Sequence, residues 1–281
     1  MDLHGRAAFV TGGSGDLGAA ACEALARAGC DVAVGYVGNR DGAAKTVRLV
    51  EGLGRRACAV QLDQAEAGAI DDAVARAAGE LGRLDVLVNN AAWNIGIPFP
   101  ELEALTVEIW DRIFDTNVRG PFQLARAAAA HMKKTGAGRI VNVASVAGLK
   151  PDGSSIAYAA SKAALIHLTR CLAVALAPSI TVNCVAPGLI EGTRMAQRLP
   201  QPVTERACAG GAPPHLQRGR HRRADRDVLP RGQRHRPGRS DRRRRVLPLR
   251  RRAEAIETVL RIVREVYAEL TARPSPPGCD R

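Results

Sequence analysis

Tyr158 and Lys162 stand four positions apart in the run Tyr158-Ala159-Ala160-Ser161-Lys162, and Ser145 lies thirteen positions before the tyrosine. On a helix, residues at i and i+4 share a face, with Cβ atoms roughly 5–6 Å apart. A phenol with a pKa of about 10 is a poor proton donor or acceptor at neutral pH until something stabilises its anion. An ammonium one turn away is expected to do so by Coulomb attraction in a partly dry site, drawing the phenol's pKa down. The Ser145 hydroxyl could hold the oxygen that the phenol protonates. Together the three make a site for moving a proton on or off a carbonyl oxygen. A surface Tyr and Lys on an alanine-rich helix would show the same spacing, so the elements that position them must decide.

Those elements alternate. Short apolar runs at 7–11, 31–36, 57–62, 86–89, 139–143 and 181–185 are rich in Val, Ala and Ile and mostly lack polar alternation, as strands buried on both faces do. Ala-rich helical stretches separate them at about 18–28, 41–53, 66–81, 103–134 and 155–176. Alternating strands and helices over this length predict an α/β fold: a Rossmann-like, doubly wound parallel sheet with helices on both faces. In such sheets a ligand lies at the carboxyl ends of the strands, near the point where the strand order reverses. The first strand runs into Thr11-Gly12-Gly13-Ser14-Gly15-Asp16-Leu17-Gly18 and then a helix. A glycine-rich turn at that place lets backbone N–H groups and the helix N-terminus approach a pyrophosphate.

The run Thr11 to Gly18, Asn89-Asn90-Ala91-Ala92, Asn117, Ser145, Tyr158 with Lys162, and Pro187-Gly188 fall in an order and spacing that resemble the short-chain dehydrogenase/reductase family. The resemblance covers about residues 5–200 and is nearest to the 3-oxoacyl-(acyl-carrier-protein) reductases and polyketide ketoreductases. It implies a catalytic tetrad of Asn117, Ser145, Tyr158 and Lys162. Tyr158 would give the proton to the substrate oxygen as hydride arrives from a nicotinamide, Lys162 would lower its pKa and hold the nicotinamide ribose, and Ser145 would orient the carbonyl. Asn117 would hold a water that refills the proton through Lys162; by itself it reads as a helix-face amide bonded to backbone. The cofactor would meet Thr11, Gly12, Ser14, Gly15, Asp16, Leu17, Gly18, Asn39, Arg40, Asp63, Asn90, Tyr158, Lys162, Pro187, Gly188 and Thr193. Asp63 resembles the family's adenine-contacting Asp and could equally cap a helix. Asn89 could tie two strands together or face the adenosine.

The chain departs from the family pattern in three places. Asp16 stands where the pattern usually has Gly, and a carboxylate repels a pyrophosphate unless it turns away or caps the helix. The second strand ends Gly35-Tyr36-Val37-Gly38-Asn39-Arg40, with no Asp or Glu for the ribose hydroxyls, which argues against strict NAD use. Gly15 and Val37 occupy the places where NADP-preferring relatives often carry a basic residue, so Arg40 or Asn39 would substitute; NADP(H) is favoured and NAD(H) possible. After about Met195 the pattern stops, and the last strand is missing or replaced by an Arg-rich tail.

Composition locates that tail. The formal net charge is +13, yet residues 215–252 alone hold sixteen Arg and three Asp, so the rest of the chain balances. We divide the chain into a Rossmann-type domain over 1–200, an irregular Arg/Pro/Gly-rich segment over 201–252, and a C-terminal amphipathic helix and tail over 253–281. A nucleic-acid-binding arm is one reading of the middle segment, but it lacks interleaved aromatics, so no specific nucleic acid is expected. We prefer a frameshift in a GC-rich gene. Residues 238–245 can be written GGN CGG TCA GAT CGT CGA CGG CGG, and one base forward those letters read G-Q-I-V-D-G-G, the ending the family resemblance calls for.

The seven cysteines are scattered without a C-x-x-C pair, which fits reduced thiols in a cytoplasmic protein and neither a disulfide frame nor a metal site. No apolar run is long enough to cross a bilayer. The expected function is reduction of a ketone, a 3-oxoacyl thioester that acyl carrier protein could carry, to a secondary alcohol with NADPH. Alternatives are a sugar or secondary-alcohol dehydrogenase of the same family and a non-catalytic, cofactor-binding regulator. A homo-oligomer is expected, a dimer more readily than a tetramer, through the helices at 103–134 and 155–176.

Overall fold

The structure, a computed structural model, describes residues 3–188. Six strands run parallel in one sheet: β1 (Ala7–Val10), β2 (Asp31–Tyr36), β3 (Ala57–Gln61), β4 (Val86–Asn89), β5 (Gly138–Val143) and β6 (Ile180–Val185). Their order across the sheet is β3-β2-β1-β4-β5-β6. Helices α1 (Asp16–Arg27), α2 (Arg40–Gly52), α3 (Ile70–Leu81), α4 (Val107–Phe114), α5 (Gly120–Lys134) and α6 (Ile156–Ala175) supply the crossovers. The order reverses between β1 and β4, and the site is built there.

The unbroken apolar character of the strands has its cause in two cores. Side chains alternate across the sheet with a period of two, so both sets must be apolar when both faces are covered. Ala7, Phe9, Leu87 and Ile140 face one core with Ile70, Leu124 and Met132 from α3 and α5. Ala8, Val10, Val32, Val34 and Val86 face the other with Cys22, Leu25 and Val50 from α1 and α2. The amino ends of β1 and β4 are pinned at the side of the sheet away from the site. There the buried Asp85 carboxylate accepts from the Ala7 N–H and pairs with Arg6 and Arg83.

The single helix expected over 103–134 is two. A short 3-10 turn at Leu102–Ala104 leads to α4, and a π turn at Asp115–Arg119 separates α4 from α5. The apolar spacing runs through both, which is why periodicity alone joins them; the widened turn is where the chain departs from the i→i+4 ladder. The stretch expected as helix from 66 opens instead as a 3-10 turn, Ala67–Ala69, before α3. Thr193, the Arg-rich segment, any last strand and the amphipathic helix expected over 253–272 lie outside the described residues.

Candidate active site

The glycine-rich turn is shaped by close backbone approach. Gly12 has φ +65°, in the left-handed region. A Cβ on Gly18 would collide with the Gly12 carbonyl, and one on Gly13 would lie 2.8 Å from Val34 Cγ1. Four side chains hold this backbone in place. The Thr11 hydroxyl accepts from the N–H groups of Asn90 (3.1 Å) and Ala91 (3.0 Å). Asn90 Nδ2 donates to the Thr11 carbonyl at 2.9 Å, Asn39 Nδ2 to the Ser14 carbonyl at 3.1 Å, and Thr46 Oγ1 to the Gly13 carbonyl at 3.0 Å. Thr11, Asn39 and Asn90, expected to touch cofactor, therefore spend their polar groups on the loop, and sequence reasoning missed Thr46. Gly15 is the N-cap of α1 and, as a glycine, supplies no side-chain cap. Asp16 is the first residue of α1 and is exposed. Leu17 is half-buried against the apolar core.

This cradle fits a pyrophosphate: glycines that admit no Cβ, a helix start with glycine as its N-cap, and a position at the strand-order reversal. At the rim, Arg40 is exposed at the start of α2, and among the described residues its guanidinium has no hydrogen-bond or ion-pair partner. Asp63, just past β3, accepts from the Ala65 N–H at 3.0 Å and pairs with Arg112 at 2.7 Å. Burial works to raise its pKa, but those two partners outweigh it and hold the carboxyl below the usual range. Asn89 ties strands: its Nδ2 donates to Asn142 Oδ1 at 2.8 Å.

Ser145, Tyr158 and Lys162 gather at the carboxyl end of β5. Ser145 follows β5 and caps the 3-10 turn Val146–Gly148, accepting from the Ala147 N–H at 3.2 Å. Gly148 lets that turn lie on α6; a Cβ there would stand 2.6 Å from the carbonyl carbon of Lys162. Sequence reasoning missed this glycine, because its neighbour is distant in the chain. Ser155 caps α6 by accepting from the Tyr158 N–H at 3.2 Å. Tyr158 is 7% exposed and Lys162 is 2% exposed. Lys162 Nζ donates to the Val143 carbonyl at 2.9 Å and lies 5.6 Å from the centroid of the Tyr158 ring. The Val146 N–H donates to the Pro187 carbonyl at 3.0 Å, which brings Pro187 beside the serine turn, with Gly188 next in the chain.

The electrostatics correct one expectation. Burial pushes the Tyr158 phenol up to about 12, and the hydrogen bond with Ser145, not the ammonium, pulls it the other way. Burial draws Lys162 down to about 8. In a dry site the cost of carrying charge exceeds the attraction between the two groups when one is a neutral phenol. Asn117 lies in the π turn with its amide fully engaged. It accepts from the Trp93 N–H at 2.9 Å and donates to the Trp93 carbonyl at 3.0 Å and to Ser161 Oγ at 3.1 Å. Its side chain is thus bonded to backbone, as the residue alone implied. Among the described residues no group of His, Cys, Asp and Glu could hold a metal ion, and no helix is long and apolar enough to cross a membrane.

The profile of the short chain dehydrogenase family matches residues 6–203. The chain belongs to that family. Within it, the chain is 38% identical over 199 residues to an acetoacetyl-CoA reductase of Rhizobium meliloti (strain 1021), covering 70% of this chain and 79% of that one. It is also 38% identical over 199 residues to cis-4-hydroxycyclohexanecarboxylate dehydrogenase of Sinomonas cyclohexanicum, covering 70% and 78%. A crystal structure of a short chain dehydrogenase from Burkholderia cenocepacia J2315 in complex with NADP superposes with a TM-score of 0.65 at 42% identity, covering 69% of this chain and 78% of that one. This short-chain dehydrogenase is an oxidoreductase acting between CH–OH and C=O with a nicotinamide cofactor.

Proposed function

We propose that this short-chain dehydrogenase reduces a ketone to a secondary alcohol with NADPH, and that its substrate is a 3-oxoacyl thioester, free or held on acyl carrier protein. The observation that carries the reading is the convergence of Ser145, Tyr158 and Lys162 on one small volume, on the same side of the sheet as the glycine cradle. The nicotinamide, when bound, supplies the hydride. The Ser145 hydroxyl orients the carbonyl oxygen, and Tyr158, a phenol and so neutral at pH 7, gives that oxygen its proton. Lys162, with a pKa near neutrality, replaces the proton on the phenolate. The phenolate stage is where the ammonium matters, since opposite charges then face each other in a dry site. Thr193 completes the proposed cofactor contacts.

Arg40 supports the preference for NADPH: it is an exposed cation at the start of α2, four residues past a β2 end (Tyr36-Val37) that carries no acidic residue to take ribose hydroxyls. The exposed Phe122 on α5 and Val174 on α6 support a dimer through those helices.

The test is a titration of the full chain with NADPH and then NADH, followed by nicotinamide fluorescence, and a ketone screen that includes 3-oxoacyl thioesters. Tyr158→Phe is expected to bind cofactor normally and to lose roughly 100- to 10,000-fold in turnover. Arg40→Ala is expected to narrow the preference for NADPH. Turnover that survives Tyr158→Phe would overturn the assignment. Oxidation of sugars or secondary alcohols in preference to ketone reduction would move the chain to the dehydrogenase alternative.

A further inference from the structure

We propose that Ser161 is a positioning residue, whose hydroxyl clamps the π turn carrying Asn117 to the turn of α6 that carries Tyr158 and Lys162. Ser161 and Asn117 are both fully buried. Asn117 Nδ2 donates to Ser161 Oγ at 3.1 Å, and Ser161 Oγ donates in turn to the Tyr158 carbonyl at 2.8 Å. The same Asn117 amide makes two bonds to the backbone of Trp93, which follows β4. One hydroxyl therefore completes a bridge from the segment after β4, through the π turn, to the catalytic helix.

Nothing local explains a serine there. Within a helix, Ser is a weaker former than Ala, and Ala159, Ala160, Ala163 and Ala164 surround it. A hydroxyl bonding back to the carbonyl three residues earlier competes with the helix ladder. Its acceptor capacity, turned to Asn117, is what alanine cannot provide. Loss of the hydroxyl leaves a buried amide N–H one partner short at the interface of α6 with the π turn, where relaxation would displace the phenol relative to Ser145.

The proposal rests on Tyr158 acting as proton donor, so its test includes a readout that needs no turnover. The full chain would be compared with Ser161→Ala and Ser161→Cys, the thiol being a weak donor and acceptor of similar size. Amide hydrogen exchange of the cofactor-free protein is expected to quicken roughly 10-fold at Trp93 and over 115–119 in the alanine variant, and less in the cysteine variant. The strands are expected to exchange unchanged. Turnover of a ketone is expected to fall about 10- to 100-fold, with KM and NADPH affinity within about threefold of the starting protein. On an Asn117→Ala background, removing the Ser161 hydroxyl is expected to add nothing further to the exchange. Unchanged exchange at these segments in a folded variant would overturn the clamp, as would a full additive effect on the Asn117→Ala background or a raised KM with unchanged turnover. If the starting chain reduces no ketone while the exchange behaves as stated, the clamp stands and the proposed function falls. Should the alanine variant fail to fold, the cysteine variant carries both readouts.

Discussion

Lys162 is the residue whose burial has the clearest consequence for stability. Its folded pKa of about 8 lies below the 10.5 of an ordinary lysine. Below pH 8 both the folded and unfolded chains carry the proton, and the cost of burying the ammonium is present in full. Between pH 8 and 10.5 the folded chain sheds the proton first, so this cost is removed and stability rises with pH. Tyr158 runs the other way: the unfolded phenol ionises at 10 and the folded one at about 12, so its contribution is lost as pH rises through that window. Urea unfolding of the full chain and of Lys162→Met should therefore diverge. Their stability difference is expected to shift by on the order of 3 kcal/mol in favour of the full chain from pH 8 to 10.5, and a flat difference would show that the ammonium is solvated. At this scale the pairing of Tyr158 with Lys162 was legible in advance, because i,i+4 geometry on a helix is a local property, whereas Ser145 is brought to it by the turn after β5. The direction of the phenol's pKa was not, since burial is settled by the turn Val146–Gly148 and the rest of the fold around it.

At the scale of elements, the turn between β1 and α1 packs backbone where no Cβ fits, the shape that the proposed pyrophosphate contact needs. Gly18→Ala would place a methyl group on the Gly12 carbonyl. The expected outcome is a loss of at least about 10-fold in NADPH affinity, measured by nicotinamide fluorescence, with far-UV circular dichroism unchanged. Binding at full strength would mean that the turn can open without cost. The π turn at Asp115–Arg119 is the element that sequence periodicity hid. Ile109, Ile113, Leu124 and Ala128 keep a helical rhythm on either side of it, so one long helix is the economical reading of the pattern. What widens the turn is tertiary: Asn117 is held by Trp93 and Ser161, residues 24 and 44 positions away.

The whole molecule sets two further expectations. Sedimentation of the full chain is expected to give a dimer, because α5 and α6 present the exposed apolar side chains Phe122 and Val174. Replacing both with Glu is expected to yield monomer, whereas a stable tetramer would count against these helices as the main contact. The family profile ends at residue 203, and the Arg-rich composition begins soon after. The proposed frameshift predicts an insertion or deletion in the coding DNA near residues 200–225. Codons at 238–245 that cannot yield G-Q-I-V-D-G-G in the neighbouring frame would end that idea.

By itself the sequence determined the alternation of strands and helices, because apolar runs of strand length and alanine-rich stretches of helix length differ in period and size. It determined that Tyr158 and Lys162 share a face of one helix, because four positions on a helix are one turn. It determined the glycine turn, because its place after the first strand leaves few other uses for so many glycines. The tertiary structure alone decided what the polar groups spend their bonds on. Thr11, Asn39, Thr46 and Asn90 stitch the glycine-rich loop, Asn89 joins two strands through Asn142, and Ser161 joins Asn117 to α6. Each of these bonds but that of Ser161 to Tyr158 spans a long stretch of chain, and a donor's partner across such a separation is chosen by packing, which no local spacing records.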